Sequence, residues 1–286
     1  MQKKNFKIAA LLIFSPIVLL AQSPPASEIY LLDLAKLTSP VNLTNRPGYD
    51  NQPMFVNDST LLYTSIREDG QADIHQIDLS TRSQTRLTQT KESEYSPTVM
   101  PGGKSLSVVR VEADSTQRLW RFPFDGGEPA LILENIKGVG YHAWGDSHTV
   151  ALFIVGNPPT LHIADTRIGK SEMIVENVGR SLHKIPNRAA FSFVHKVSER
   201  EWWIKQIDFS GRKITPIIQA LEGSEDYAWS PAGAIFTAPK AQLHGYNWGR
   251  DATWTAVADL SDAQIKQITR LAISPDGTRL AFVAAE

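Results

Sequence analysis

One unit of about 44 residues recurs six times along this 286-residue chain, and that repeat constrains the fold more than any single motif does. One half of the unit is an alternating strand ending near an acidic residue. It reads IYLLDL from Ile29, IHQIDL from Ile74, LWRFPFD from Leu119, LHIADT from Leu161, WIKQIDF from Trp203 and WTAVADL from Trp254. Aligning Asp33, Asp78, Pro123, Asp165, Asp208 and Asp259 gives steps of 45, 45, 42, 43 and 51 residues. The other half is a strand, a tight turn and a second strand, as in YDNQPMF, EYSPTVMPGGKSLSVV, YHAWGDSHTVALF, LHKIPNRAAFSF, DYAWSPAGAIF and RLAISPDGTRLAF. Aligning Phe55, Val99, Trp144, Lys184, Trp229 and Ile273 gives steps of 44, 45, 40, 45 and 44.

Four short strands per unit, six units and no sustained helical period together predict an all-β, six-bladed β-propeller. A plain sandwich with accidental spacing does not account for so regular a count. Within a unit the strands run a, b, c and d from the axis outward. The chain begins with a c and a d strand (Ile29 to Leu34, then near Val41 to Thr44) and ends with an a and a b strand (Arg270 to Ala285). The two ends therefore make one blade between them, which closes the ring and leaves no free sheet edge there. Trp144, Trp229, Val99 and Ile273 are expected to pack between blades, each contributing about 2–3 kcal/mol by apolar burial.

The first 22 residues are set apart from this pattern. Lys3, Lys4 and Lys7 precede an apolar run from Ile8 to Ala21, which ends at Gln22-Ser23-Pro24-Pro25. Such a run is short for a membrane span of about 20 residues and has the layout of a cleaved signal peptide. The expected division is a leader over residues 1–22 and a propeller over 23–286, in the bacterial periplasm or secreted, with no membrane span in the mature protein. Cysteine is absent, so neither a lipoprotein anchor nor a disulfide framework is expected. Formal net charge is −1, becoming −4 without the leader lysines; a chain of that balance has no basic footprint for nucleic acid. A monomer is expected.

Four segments carry a resemblance. IREDGQADIHQIDLSTRSQTRLT (Ile66 to Thr88) resembles the repeat of the TolB-like six-bladed propeller family, with an Asp-Gly turn before strand c and Arg-Leu-Thr closing strand d. EYSPTVMPGGKSL, DYAWSPAGAIF and RLAISPDGTRLAF resemble the same family's strand a and its Ser-Pro-Asp-Gly turn. The resemblance covers the chain after Gln22, without the N-terminal domain that TolB carries ahead of its propeller. It implies the fold; taken with the leader and the absence of a catalytic motif, the expected function is that of an exported, non-catalytic binding or scaffold protein that docks a protein or peptide, with a cell-envelope component as one partner class.

The residues leading into the a strands would gather at one mouth of the central channel, where function on such loops is usual. They are Tyr49 and Asp50, Glu94 and Tyr95, Tyr141 and His142, His183, Asp226 and Tyr227, and Arg270. Tyrosine offers contact area with a polar tip, which suits a peptide or sugar. The stretch Ala238 to Thr253, read as a long loop between b and c of the fifth unit, adds His244, Tyr246, Trp248 and Arg250 at the same mouth. His75, His148, His162 and His195 fall in blade strands or turns and are read as structural. No cofactor is expected. The enzymatic alternative is a carbohydrate- or lactone-acting lyase or hydrolase with a divalent metal held by His142, His183 and His244, since the resemblance extends to propellers with a metal at the channel mouth. No Gly-x-Ser-x-Gly elbow is present; Gly179 to His183 fails it at the last position.

Overall fold

In the computed structural model, residues 24–209 and 213–285 are described; the leader expected over residues 1–22 lies outside them. Among the described residues no helix is long and apolar enough to cross a membrane. Strands dominate because the inner strands of each blade can bury both faces, while the outermost, such as Lys170–Glu176, stay largely exposed. In strand b of the first blade, Thr60–Ile66, successive side chains alternate between the two faces of the sheet. Leu61 and Tyr63 enter the core shared with the last blade, while Leu62 enters the core shared with the second. Strand b of the second blade, Ser105–Val111, is likewise buried almost throughout.

The blades form a six-membered ring. Blades 2 to 5 are separate four-stranded antiparallel sheets, and blades 6 and 1 are joined into one larger sheet by a single parallel bridge between Ser27 and Tyr49. A hydrophobic cluster fills each blade-to-blade interface, such as Val109 and Leu119 of blade 2 against Trp144 and Val150 of blade 3. Blade 6 supplies Phe282 and Leu32 to its core with blade 5, and Ile29 and Val283 to its core with blade 1.

Ring closure follows the expected pattern. The N-terminal strand Ser27–Asp33 pairs along its full length with Arg279–Ala285, in register from Ser27↔Ala285 to Asp33↔Arg279. Ile29 and Leu32 are fully buried by this pairing, and Tyr30 stacks on Phe282 with ring centres 5.7 Å apart. In the Ser274–Gly277 turn, the Gly277 N–H donates to the Ser274 carbonyl at 2.8 Å with Gly277 at φ +75°. That conformation favours glycine. Asp276 braces the turn by accepting from the Thr278 N–H and the Ser274 hydroxyl.

The fifth blade departs from expectation. Its strand c is Gln242–Asn247 and its strand d is Thr255–Asp259, so WTAVADL belongs to the outer strand. The stretch read as a b–c loop contains strand c itself, followed by the c–d turn. The true c strand was obscured by Gly245 in its interior, against Phe236 and Val257, and by ending in Asn247 instead of aspartate. The alternating WTAVADL imitated the family pattern better than the real strand did.

Closure through the N-terminal strand makes a direct prediction. Phe282→Ala should cost about 3–5 kcal/mol and Leu32→Ala about 2–5 kcal/mol, both read from urea unfolding midpoints, because both truncations open the same closed core. Removing residues 24–33 should abolish the cooperative transition; a truncated chain with an unchanged midpoint would show that the ring does not depend on this strand.

Candidate functional site

The six a strands line a central cavity of about 480 Å³. Five of them are kinked near the upper mouth, where the register slips at Asn51/Met54, Tyr95/Thr98, Val139/Tyr141, Val178/Leu182 and Thr269/Ala272. A bulge bends the strand and re-aims its side chains. Gln52, Ser96 and Arg270 sit at the slips of blades 1, 2 and 6 with φ of 58°, 54° and 50°. Non-glycine residues held in that region store strain, which the surrounding contacts must sustain. Gln52 shows how: its side-chain oxygen accepts from the Ser96 N–H and the Thr64 hydroxyl, both at 2.8 Å, tying blade 1 to blade 2.

Arg270 is the centre of the upper mouth. It donates to Asp226 at 2.7 Å and to the Tyr141 hydroxyl at 2.6 Å, with its guanidinium 4.8 Å from the Tyr141 ring centre. Arg270 belongs to blade 6 and Tyr141 to blade 3, on opposite sides of the ring, so this contact spans the channel. Arg180 approaches the second Asp226 oxygen at 3.4 Å and pairs with Glu225 at 3.0 Å. Burial works to raise the Asp226 pKa, but Arg270 and Arg180 outweigh it and hold the carboxyl below its ordinary value. Tyr49 is close enough to feel both arginines, yet burial dominates and pushes its phenol well above the ordinary range. Tyr95 is also raised by burial.

The structure divides the expected site residues into three groups. Tyr49, Tyr141, Asp226 and Arg270 do meet at the upper mouth, and Tyr95 lies near enough to act on the Tyr49 phenol while packing against the core of blades 2 and 3. Asp50 and Glu94 lie beside it in sequence but are fully buried inside their blades. Asp50 accepts from the Ser65 hydroxyl at 2.5 Å and faces Arg46 at 3.2 Å; Glu94 accepts from Thr90 at 2.5 Å and from Arg110 at 3.0 Å. They brace the bulges and present nothing to the channel. The period-two alternation of a strand sends each of them away from the channel-facing neighbour.

His142 and Tyr227 are buried as well, in a clamp used twice. His142 Nε2 and the Trp144 indole N–H both meet the Ser107 hydroxyl of the preceding blade, at 2.7 and 2.9 Å. The Tyr227 hydroxyl and the Trp229 indole N–H donate to Ser192 in the same way, each at 2.8 Å. The tripeptides His-Ala-Trp and Tyr-Ala-Trp carry this clamp, and their likeness was the available signal for it. Trp144 and Trp229 thus pack between blades as expected, and so do the half-buried Val99, against the core of blades 1 and 2, and Ile273, against the core of blades 5 and 6; all four also face the channel. His183 packs on the Tyr227 ring with centres 4.7 Å apart. Burial lowers the His142 pKa to about 3 and that of His183 to about 4, so both are neutral at pH 7.

Blade 5's aromatic residues lie elsewhere. Neighbouring strands are antiparallel, so the a–b and c–d turns share the lower end of a blade while b–c turns share the upper. Trp248 and Arg250 follow strand c and therefore sit at the lower face, against Arg188 and Trp229. Tyr246 is buried against Trp254. His244 lies in strand c, its Nδ1 donating to the Gln242 carbonyl at 3.0 Å. His142 therefore lies between blades 2 and 3, His183 between blades 4 and 5, and His244 within strand c of blade 5, with no hydrogen bond or ring contact joining the three. Among the described residues no group of three or more His, Cys, Asp or Glu side chains is placed to hold a metal ion, which removes the ligand set of the enzymatic alternative. Arg180, Ser107 and Ser192 were not anticipated, since nothing in their local sequence marks them.

No protein-family model and no curated protein matches the sequence. Solved structures do. A protein of Agrobacterium tumefaciens described as a TolB superposes with a TM-score of 0.74 at 13% identity, over 92% of this chain and 99% of that one. TolB from Acinetobacter baumannii gives 0.59 at 14% identity over 92% and 64% of the two chains. An oligogalacturonate lyase in complex with manganese gives 0.54 at 12% identity over 91% and 90%. The chain has the fold of these propellers. At such identities the likeness establishes architecture and leaves activity to the site itself.

Two outcomes test this geometry. Asp226, with its pKa depressed, contributes stability that is present above the unfolded-state value of about 3.9 and is lost as pH falls through the lower folded value. Arg270→Ala leaves burial less opposed, raises that folded pKa, and should move the acid limb of a urea-midpoint profile to higher pH. Ser192→Ala strands the Tyr227 hydroxyl and the Trp229 indole N–H and should cost about 1–3 kcal/mol by equilibrium unfolding.

Proposed function

We propose that this chain is an exported, non-catalytic binding propeller of the TolB-like kind, which seats an extended segment of a protein partner in its central channel. In this reading residues 1–22 are a cleaved leader, 23–286 form the working domain, and the mature protein acts as a monomer in the periplasm or outside the cell, on a cell-envelope component. The observation that carries it is the cavity of about 480 Å³ framed by all six a strands, a size suited to a few side chains of a ligand. Asp226 is the carboxylate of that lining, and two arginines keep it ionised, the reverse of what a general acid needs. Two wall groups are suited to a peptide backbone. Ser96 Oγ and His142 Nδ1 are buried with no hydrogen-bond partner among the described residues. Such groups are costly until they are satisfied.

The direction of approach follows from the Arg270–Tyr141 contact, which crosses the upper mouth. The lower rim, with Lys184, Pro231 and Pro275 exposed, is the open side. Photo-crosslinking from a benzoylphenylalanine at position 184, followed by mass spectrometry of the adducts in an envelope extract, tests the reading. A discrete protein adduct should form, and Thr98→Trp, which fills the channel, should abolish it without altering the circular dichroism spectrum. Adducts that persist unchanged in the filled channel would overturn the assignment.

A further inference from the structure

Beside the lower opening of the channel lies a second cavity of about 210 Å³. It is assembled from three turns: the a–b turn of blade 4 around Asn187 and Arg188, the a–b turn of blade 5 at Ala232 and Gly233, and the c–d turn of blade 5 from Asn247 to Arg250. The turns are tied by their own backbones. The Arg188 N–H donates to the Ile185 carbonyl at 3.2 Å, Gly233 to Ser230 at 2.9 Å, and Arg250 to Asn247 at 3.0 Å.

Its charge is unbalanced. The lining holds two arginines, Arg188 and Arg250, and no carboxylate. Elsewhere the chain matches its buried and part-buried arginines with acids, Arg46 with Asp50, Arg110 with Glu94 and Arg270 with Asp226, whereas Arg188 and Arg250 are exposed at the rim of this cavity. Neither Arg188 nor Arg250 has an acidic partner among the described residues. Asp251, the nearest acid in sequence, has its Oδ2 committed to the Asn247 backbone and side-chain N–H groups at 2.7 and 2.9 Å. Arg188 is also held in place, its guanidinium 4.1 Å from the Trp248 ring centre, while Trp248 in turn packs on Trp229 at 5.9 Å. A guanidinium is a pure donor, and one stacked on an indole keeps its donor edge directed outward for a planar anion.

We infer that this cavity is a carboxylate site, and that its occupant is an acidic side chain, Asp or Glu, of the same partner segment that occupies the channel. Pro186 and Trp229 line both cavities, so a segment leaving the lower opening passes directly over Arg188 and Arg250. The source of the carboxylate rests on the channel reading; the carboxylate site itself does not. Two cations that line one cavity without an anion repel, and a bidentate carboxylate offsets that repulsion while matching the arginine fork.

The test uses N-acetyl-glutamate amide, its glutamine analogue and inorganic phosphate as probes at constant ionic strength, following the Trp248 indole N–H resonance assigned through Trp248→Phe. The glutamate probe should give a saturable shift in the low-millimolar range that the glutamine probe does not. Arg188→Gln and Arg250→Gln should each weaken it at least tenfold, with the remaining indole resonances unmoved as the check on folding, and Thr98→Trp should leave it intact. Equal response to glutamine, saturation by phosphate alone, or retention in both arginine variants would overturn the proposal. A positive titration without crosslinks at position 184 would sustain the carboxylate site and remove the channel as its source. Crosslinks without a titration would do the opposite.

Discussion

The pairing of Ser27–Asp33 with Arg279–Ala285 is the constraint on which everything else rests. A propeller blade buries both of its faces, so every blade needs a neighbour on each side. An open ring would leave two sheets with one apolar face in water. The last blade satisfies this only by borrowing its outer strands from the opposite end of the chain. It thereby supplies Leu32 and Phe282 to one interface and Ile29 and Val283 to the next. The cavity is a consequence of closure, since the six a strands line a common channel only when the ring is complete.

Closure also explains how the polar residues near the axis are apportioned. The bulged a strands turn alternate residues toward the channel or back into the blade. Asp50 and Glu94 go inward, where Arg46 and Arg110 meet them; Tyr141, Asp226 and Arg270 go to the channel and bind one another across it. Burial alone would neutralise a carboxylate in such a place. Two adjacent cations reverse that balance for Asp226 and leave the upper mouth ionic, internally satisfied and spanned by one side chain.

The lower face has a different character. Its turns bring together a stacked arginine, a second arginine and two indoles without an acid to complete them. Ionic pairs satisfied within the protein stabilise the ring, whereas cations left unpaired at the surface are available to a ligand. The two ends of the channel differ in that respect: the upper is closed by its own ion pairs, and the lower carries arginines in a cavity whose lining holds no acid.

The sequence by itself determined the number of blades, the strand count in each and the closing of the ring by both termini. These follow from a repeat period and from alternation, which are local properties of the chain. It also marked Tyr141, Asp226 and Arg270 as neighbours of the axis. What only the tertiary structure decided is which of those residues remain available. Glu94 and Tyr95 are adjacent in sequence, yet a bulge buries one and leaves the other near the mouth. Blade 5 departs from the repeat because Trp254 to Leu260 alternates more regularly than the true c strand, which holds a glycine to admit Val257 and Phe236. That single shift moves Trp248 and Arg250 from the upper face to the lower. Which end of a blade a turn occupies depends on counting strands in space, and the pairing of Arg188 with Trp248 joins two blades whose contact no local pattern encodes.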